Sequence, residues 1–149
     1  MNTEPEQHKA AKGLIADDDA RMRHIIRALI LDLALEIFEA TDGQTAIETY
    51  LLHNPDWVTL DLDMVPVDGL IALRGIKAHD PLARIVIVTA HDTKAFREAA
   101  TQGGAIGYVL KDDLSKIRDV LITSFASRKP DRLSANTFNK QQNKLKPNL

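Results

Sequence analysis

The sequence predicts an α/β domain built on a doubly wound, five-stranded parallel sheet with helices on both faces. Five short apolar runs alternate along the chain with five longer stretches in which apolar residues recur at helical spacing. Strands that alternate with helices pair in parallel through right-handed crossovers, and the resulting sheet is covered on both sides. The first, third and fourth runs lack the alternation of a half-exposed strand, which is typical of central strands.

The five predicted strands are supported by different features of their composition. The run at 84–89 is the richest in β-branched residues, and the run at 36–40 shows the alternation of a half-exposed strand. The first and third runs stop directly at aspartates, Asp17 and Asp61. In chain order, we predict strands at residues 13–16, 36–40, 57–60, 84–89 and 105–110.

The helices are predicted from periodicity and from the residues that begin and end them. Apolar residues spaced three and four apart between Met22 and Leu33 predict the first helix. Pro55 and Pro81 lie in the breaks after the second and third helices, and a Gly-Gly pair ends the fourth, which Asp92 is predicted to cap. In chain order, we predict helices at residues 22–33, 44–53, 70–78, 93–102 and 113–125.

Composition limits the functions that the chain can have. The 149 residues fit one domain, and the absence of cysteine excludes disulfides, thiolate metal sites and a cysteine nucleophile. The chain has no apolar run long enough to span a membrane and no secretory signal, so we expect a cytoplasmic protein. We divide it into a flexible N-terminal segment at 1–12, a folded domain at 13–126, and a basic polar tail at 127–149 that its composition predicts to be disordered.

Charge is unevenly distributed along the chain. Residues 13–122 contain 11 Lys and Arg against 18 Asp and Glu, a formal charge of −7, whereas residues 123–149 contain 6 against 1, a charge of +5. An acidic body lacks the cations that neutralise phosphates, so we expect no direct binding of nucleic acid. The basic tail is interpreted first as a solvated chain end.

Polar residues follow the strands that we expect at the centre of the sheet, at the edge where such sheets bind their ligands. Three aspartates beginning with Asp17 follow the first strand, Asp61 follows the third, Thr89 ends the fourth, and Lys111 follows the fifth. Carboxylates brought together at this edge repel one another unless they are protonated or bind a cation. Oxygen ligands without histidine or cysteine select Mg²⁺, Mn²⁺ or Ca²⁺, and Mg²⁺ best suits a small site with room for water.

The same residues describe the transfer of a phosphoryl group to an aspartate. A carboxylate such as Asp61 is a usable nucleophile toward phosphorus, while a metal, the Lys111 ammonium and the Thr89 hydroxyl would each balance one phosphoryl oxygen. Each residue also has an ordinary interpretation: the aspartates at Asp17 as helix caps, Asp61 as a turn residue, Thr89 as a strand residue and Lys111 as a solvated charge. Coincidence of all four at these strand ends is improbable, so we favour phosphoryl transfer.

The motifs that contain these residues resemble the receiver domain of two-component response regulators, from about residue 13 to 122. The spacing matches as well, since Gly69 lies eight positions after Asp61 and Lys111 lies 22 positions after Thr89. The resemblance implies a flavodoxin-like sheet with strand order 2-1-3-4-5. The matching segments are the acidic start at 14–19, the phosphoacceptor loop at 60–64 with 68–69, the hydroxyl motif at 88–90 and the lysine segment at 107–111.

The resemblance also implies a role for each residue of the site. Asp61 would be the phosphorylated aspartate, and Thr89 and Lys111 would contact the phosphoryl group. The implied ligands of Mg²⁺ are Asp17 through water, Asp18 and Asp61 directly, and Asp63 through its backbone carbonyl.

The implied signal passes through residues around the phosphoryl group. Thr89 would shift toward that group, and Tyr108 would swing inward behind Thr89. Asp63 and His91 occupy positions that tune hydrolysis of the phosphate. The face formed by the fourth helix, the fifth strand and the fifth helix would then report the change to a downstream protein.

We therefore predict a stand-alone signalling switch that receives its phosphoryl group from a sensor histidine kinase or a histidine phosphotransfer domain. It is not a turnover enzyme, and at most it catalyses its own phosphorylation and dephosphorylation. One alternative is the receiver fragment of a DNA-binding transcriptional regulator, with the basic tail as its linker. A less favoured alternative is a phosphatase of the haloacid-dehalogenase type, because residues 61–63 resemble the Asp-x-Asp motif of those enzymes.

Overall fold

The computed structural model describes residues 11–126, so residues 1–10 of the predicted N-terminal segment and the predicted tail at 127–149 lie outside the described residues. The strands are β1 (Lys12–Ala16), β2 (Glu36–Ala40), β3 (Trp57–Leu60), β4 (Ile85–Thr89) and β5 (Gly107–Leu110). The helices are α1 (Ala20–Ile30), α2 (Gly43–His53), α3 (Gly69–His79), α4 (Lys94–Gln102) and α5 (Ile117–Ala126). Two 3₁₀ segments, Leu31–Leu33 and Lys111–Lys116, follow α1 and β5.

The five strands form one parallel sheet in the order β2-β1-β3-β4-β5. This confirms the predicted fold class and strand order. Every residue of β3 and β4 is buried, whereas β2 at the edge of the sheet is partly exposed. Chain order reverses between the neighbouring strands β1 and β3, so their carboxyl ends border the crevice in which such sheets bind ligands.

Some helix boundaries differ from the prediction because of where caps and breaks fall. Helix α1 begins two residues early, since the side chain of Asp19 accepts a backbone amide of its first turn at 2.9 Å. The predicted cap at Asp92 is wrong, because the hydroxyl of Thr93 caps α4 instead. Asp113 has non-helical backbone angles inside the 3₁₀ segment, so α5 begins only at Ile117.

The hydrophobic core lies on both faces of the sheet. Helices α2, α3 and α4 cover one face and helices α1 and α5 the other. Successive side chains of β1 point to opposite faces, so Leu14 lies in the first core cluster and Ile15 in the second. This arrangement leaves the carboxyl ends of the strands and their loops as a place where polar side chains can gather. No helix formed by residues 11–126 has the length and apolar character required to cross a membrane.

Candidate functional site

Three carboxylates meet at the carboxyl ends of β1 and β3. Asp17 and Asp61 directly follow these neighbouring strands, and their amides extend the sheet by donating to the carbonyls of Ala40 and Ala16 at 3.0 Å each. One oxygen from each of Asp17, Asp18 and Asp61 lies within 4.8 Å of the other two. These three residues are called the acidic pit below. Asp17 and Asp61 are buried and Asp18 is exposed, so the pit has a buried floor and an exposed rim.

The buried floor of the pit is electrostatically unfavourable in the absence of a cation. Burial raises the pKa of Asp17 above its ordinary value of 3.8, and the nearby charge of Asp61 acts in the same direction. Oδ1 of Asp17 accepts the amide of Asp19 at 2.9 Å. Oδ2 of Asp17 is buried, and the ammonium of Lys111 lies 2.9 Å from it. The site therefore holds more negative charge than its protein partners balance.

Lys111 brings a positive charge from the end of β5 into the pit. Its Nζ donates to Oδ2 of Asp61 at 2.9 Å and lies at the same distance from Oδ2 of Asp17. Burial by itself would lower the pKa of Lys111, but the hydrogen bonds with Asp61 and Asp17 outweigh it and raise that pKa. The side chain therefore remains an ammonium ion at any physiological pH.

The donor set of the acidic pit fits a hard divalent cation. All three side chains offer carboxylate oxygens, which are the ligands that such cations prefer. The second indication is that the two buried carboxylates, Asp17 and Asp61, share the ammonium of Lys111, because incompletely balanced buried charge is costly. Within residues 11–126, this is the group of His, Cys, Asp and Glu side chains that lies close enough together to hold a metal ion.

Asp63 directs its side chain away from the acidic pit. Its Oδ2 lies 2.6 Å from Nε2 of His91, in the loop that follows β4. The amide of Asp63 donates to Oδ1 of Asp61 at 3.2 Å, and the ring of His91 stacks on Phe96 with 4.8 Å between the ring centroids. This contact joins the loop after β3 to the loop after β4 beside the pit.

Thr89 and Tyr108 both contact His91. Oγ1 of Thr89, a buried residue at the end of β4, accepts the amide of His91 at 3.4 Å. The hydroxyl of Tyr108 on β5 donates to the carbonyl of His91 at 2.7 Å. Burial raises the pKa of the Tyr108 phenol. Lys111 therefore contacts the acidic pit directly. Thr89 and Tyr108 instead contact His91, in the loop that follows β4.

Gly69 is a part of the site that sequence reasoning noticed only through its spacing from Asp61. A Cβ atom at Gly69 would lie 2.0 Å from the carbonyl oxygen of Asp61 and 2.7 Å from Cα of Leu62. The amide of Gly69 also donates to the carbonyl of Leu62 at 3.1 Å. The first turn of α3 therefore packs directly on the backbone that carries Asp61, and only glycine fits there.

Arg23 on α1 is a supporting residue that sequence reasoning missed altogether. Its Nη1 donates to the backbone carbonyl of Asp17 at 2.8 Å, and its Nε pairs with Glu39 at 3.2 Å. Nothing in the sequence around Arg23 predicts that its side chain binds the backbone at Asp17. It fixes the start of the loop that presents Asp17 and Asp18.

Replacing Asp17 by asparagine should stabilise the protein in the absence of divalent cations. The folded-state pKa of Asp17 is raised, so the stability associated with its protonated form is present at low pH and is lost as the pH rises through that pKa. At pH 7 we expect the free energy of unfolding to increase by about 1 kcal/mol in urea titrations, a gain common for a strained functional site. The difference should vanish below about pH 4.

The matched control for this substitution is Asp18→Asn, which removes a carboxylate from the exposed rim of the same pit. We expect Mg²⁺ to stabilise the unmodified protein and to stabilise both variants less, since each replaces a charged carboxylate of the pit by a neutral amide. Only Asp17→Asn should gain stability without Mg²⁺. A lower stability of Asp17→Asn at pH 7 would contradict the electrostatic account of the pit.

Comparison with known proteins identifies the family. Residues 14–122 match the model of the response regulator receiver domain. The chemotaxis protein CheY of Bacillus subtilis is 38% identical over 103 residues, which cover 68% of this chain and 86% of that protein. The "Probable transcriptional regulatory protein NarL" of Mycobacterium tuberculosis is 32% identical over 136 residues, or 83% of this chain and 62% of that protein.

A solved structure agrees with these relatives. A chain in the crystal structure of the CheX-CheY-BeF3-Mg²⁺ complex from Borrelia burgdorferi matches with a TM-score of 0.72 and 26% identity, over 78% of this chain and 90% of that chain. This structural similarity agrees with the strand order β2-β1-β3-β4-β5 observed here. With a family model that spans nearly all of the described residues, the chain belongs to the response regulator receiver domain family of two-component systems.

Proposed function

We propose that this chain is a phosphorylation-activated signalling switch in which Asp61 accepts a phosphoryl group in the presence of Mg²⁺. Receiver domains interact with histidine kinases or phosphotransfer proteins, and one of these would be the donor. The observation that carries the proposal is the environment of Asp61. Its carboxylate is buried in the acidic pit and accepts a hydrogen bond from Nζ of Lys111 at 2.9 Å.

The proposed transfer forms one bond and breaks another. A carboxylate oxygen of Asp61 attacks the phosphorus of a phosphohistidine on the donor, and the bond between phosphorus and the imidazole nitrogen breaks. The electron pair of that bond leaves with the imidazole. The product is an acyl phosphate on Asp61, and because the attacking group is a carboxylate, no separate base is required.

Charge at the transferring group is balanced by residues of this chain. Lys111 supplies an ammonium opposite one phosphoryl oxygen, and the hydroxyl of Thr89 would donate a hydrogen bond to another. When bound, Mg²⁺, or Mn²⁺ in its place, supplies a further positive charge that stabilises the transition state. The proposed ligands are Asp17 through water, Asp18, Asp61 and the backbone carbonyl of Asp63.

The proposed signal is a population shift of the loop after β4, defined as residues 90–93, and of Tyr108. Thr89 and Tyr108 support this role because both form hydrogen bonds with the backbone of His91. Movement of Thr89 toward a phosphoryl group would therefore act on Tyr108 through one residue. The face formed by α4, β5 and α5 would bind the downstream protein.

Asp63 and His91 are proposed to tune the lifetime of the phosphate. Oδ2 of Asp63 and Nε2 of His91 lie 2.6 Å apart beside the pit, and this contact connects the loops that border it. We expect this contact to restrict the approach of water to the acyl phosphate and so to slow the loss of the signal. The chain would at most catalyse its own phosphorylation and dephosphorylation, and we place it in the cytoplasm with its donor.

A second candidate is the receiver part of a DNA-binding transcriptional regulator. The similarity to NarL favours it, since 136 residues align with a protein whose name describes a transcriptional regulator. A gene that encodes a DNA-binding domain after this receiver domain would support this candidate. The phosphatase alternative requires sustained turnover, and release of many phosphates per chain from a phosphate monoester would support it.

The proposed function is tested by incubating the purified chain with acetyl phosphate and Mg²⁺ and measuring its intact mass. We expect the addition of one phosphoryl group, its absence when EDTA removes the metal, and its rapid loss in neutral hydroxylamine, which cleaves acyl phosphates. A label that resists hydroxylamine would be attached to a hydroxyl group. That result, or the lack of any label, would contradict the proposal.

Replacing Gly69 by alanine should slow phosphorylation without removing any group of the site. The added methyl group would meet the backbone of Asp61 at 2.0 Å, so the loop must move by more than about 1 Å from its place. A displacement of about 1 Å from the reactive geometry can cost about 100-fold in rate. The measurement is the initial rate of phosphoryl incorporation from acetyl phosphate.

The matched control for Gly69→Ala is Gly75→Ala on the same helix. There the new methyl group meets only the flexible end of Ile47, at 2.7 Å, and this side chain can rotate away. We expect the control to fold normally and to be phosphorylated at the unmodified rate. Equal rates for both variants would show that close packing at Gly69 does not position Asp61.

A further inference from the structure

Arg97 on α4 covers the ring of Tyr108. The guanidinium carbon of Arg97 lies 4.6 Å from the ring centroid, within the range of a cation–π contact. Nε of the same guanidinium donates to Oδ1 of Asp92 at 2.7 Å, which restrains the side chain above the ring. Arg97 is partly exposed, so it can be replaced without opening the core.

Tyr108 is therefore restrained at two points. The hydroxyl is bound to the carbonyl of His91 at 2.7 Å, and the face of the ring is covered by Arg97. These contacts come from two different elements, the loop at 90–93 and helix α4. The ring also packs against the core on the α2–α4 face of the sheet, and the cation favours this inward position over positions nearer to solvent.

His91 connects this arrangement to the site. Its amide donates to Thr89, its carbonyl accepts from Tyr108, and its ring is paired with Asp63. Any residue that holds Tyr108 on the carbonyl of His91 also orders the loop at 90–93 next to Asp61. The position of the aromatic ring and the shape of the site are coupled through this one residue.

We propose that Arg97 is a positioning residue that holds Tyr108 on the carbonyl of His91 before phosphorylation and so raises the affinity of the site for a phosphoryl group. The effect on phosphoryl affinity rests on the proposed function, whereas the positioning of Tyr108 by Arg97 does not. Arg97 increases the population of the ordered Tyr108 and loop before the phosphoryl group arrives, so the group has less ordering to supply. The contact is worth about 2–5-fold in the population of the ordered loop.

The experiment uses the full chain labelled with 3-fluorotyrosine, in which Tyr50 and Tyr108 are the two tyrosines. Tyr50 is buried on α2, and its hydroxyl donates a hydrogen bond to Oδ2 of Asp80 at 2.6 Å. Its ¹⁹F resonance therefore serves as an internal reference. Arg97→Met removes the charge and keeps an apolar stem, whereas Arg97→Lys keeps a charge without the planar group. Spectra are recorded without ligand and during titration with beryllofluoride and Mg²⁺.

Without ligand, we expect the Tyr108 resonance of Arg97→Met to move toward that of a solvent-exposed tyrosine, with Arg97→Lys between it and the unmodified chain. The affinity for beryllofluoride with Mg²⁺ should fall about 2–5-fold in Arg97→Met. Lys94→Ala, on the same helix and paired with Glu98 at 3.7 Å, is the matched control and should change neither value.

Two results would overturn the inference. An unchanged Tyr108 resonance in Arg97→Met would show that the cation does not position the ring, and an unchanged or higher affinity would show that the position does not favour binding. If the unmodified chain fails to bind beryllofluoride, the proposed function fails. The ligand-free spectra would still decide whether Arg97 positions Tyr108.

Discussion

Replacing Asp61 by asparagine is expected to reduce phosphoryl incorporation from acetyl phosphate to background. The amide lacks the nucleophilic carboxylate oxygen, and it also removes one ligand of the proposed metal. The side chain keeps its size in a buried position that is 2% exposed, so the fold should survive. The measurement is intact mass after incubation with acetyl phosphate and Mg²⁺, with circular dichroism to verify folding.

The matched control for this prediction is Asp63→Asn, a carboxylate two residues further along the same loop. Its side chain is 61% exposed and points to His91, and the proposed metal contact is through its backbone, which the substitution leaves in place. We expect Asp63→Asn to be phosphorylated and to differ only in the lifetime of the label. A label on Asp61→Asn equal to that of the unmodified chain would move the acceptor elsewhere.

Replacing Lys111 by methionine should slow phosphorylation by about 100- to 1,000-fold. The ammonium lies 2.9 Å from Oδ2 of Asp61, the proposed acceptor, where it would offset charge on a phosphoryl oxygen. The same change should tighten the binding of Mg²⁺, because the ammonium no longer competes with the metal for the oxygens of Asp17 and Asp61. Phosphorylation rates and calorimetric titration with Mg²⁺ measure the two effects separately.

Lys111→Arg distinguishes the charge of this residue from its shape. Arginine keeps the positive charge but presents a planar, bulkier group, so we expect a rate between those of the methionine variant and the unmodified chain. Mg²⁺ affinity should remain near that of the unmodified chain. Weaker Mg²⁺ binding by Lys111→Met would mean that the lysine supports the metal site instead of competing with the metal.

The arrangement of the sheet could be predicted because its physical causes are local in the sequence. Strands β3 and β4 are buried on both faces, and their largely apolar composition, without alternating polar residues, reflects this directly. Helix boundaries were harder to predict where two capping residues stand side by side. Asp92 and Thr93 are both suitable caps, and Asp92 pairs with Arg97, which leaves Thr93 to cap α4.

The site was predictable as a set of residue types and less so as a set of environments. Three consecutive aspartates follow β1, and nothing in the sequence distinguishes their environments. In the structure Asp17 is buried, Asp18 is exposed at the rim of the pit, and Asp19 caps α1. Arg97 and Tyr108 belong to different elements and meet only through the packing of α4 on the sheet. No periodicity or spacing in the sequence predicts such a contact.

The acceptor residue can be identified directly by reducing the phosphorylated chain with borohydride, which converts an aspartyl phosphate to homoserine. Peptide mass spectrometry then locates the homoserine. Our account predicts it at position 61, in a chain labelled with acetyl phosphate and Mg²⁺ and in no sample kept in EDTA. Homoserine at position 17, 18 or 63, or a labelled chain that yields none, would contradict the claim that Asp61 accepts the phosphoryl group.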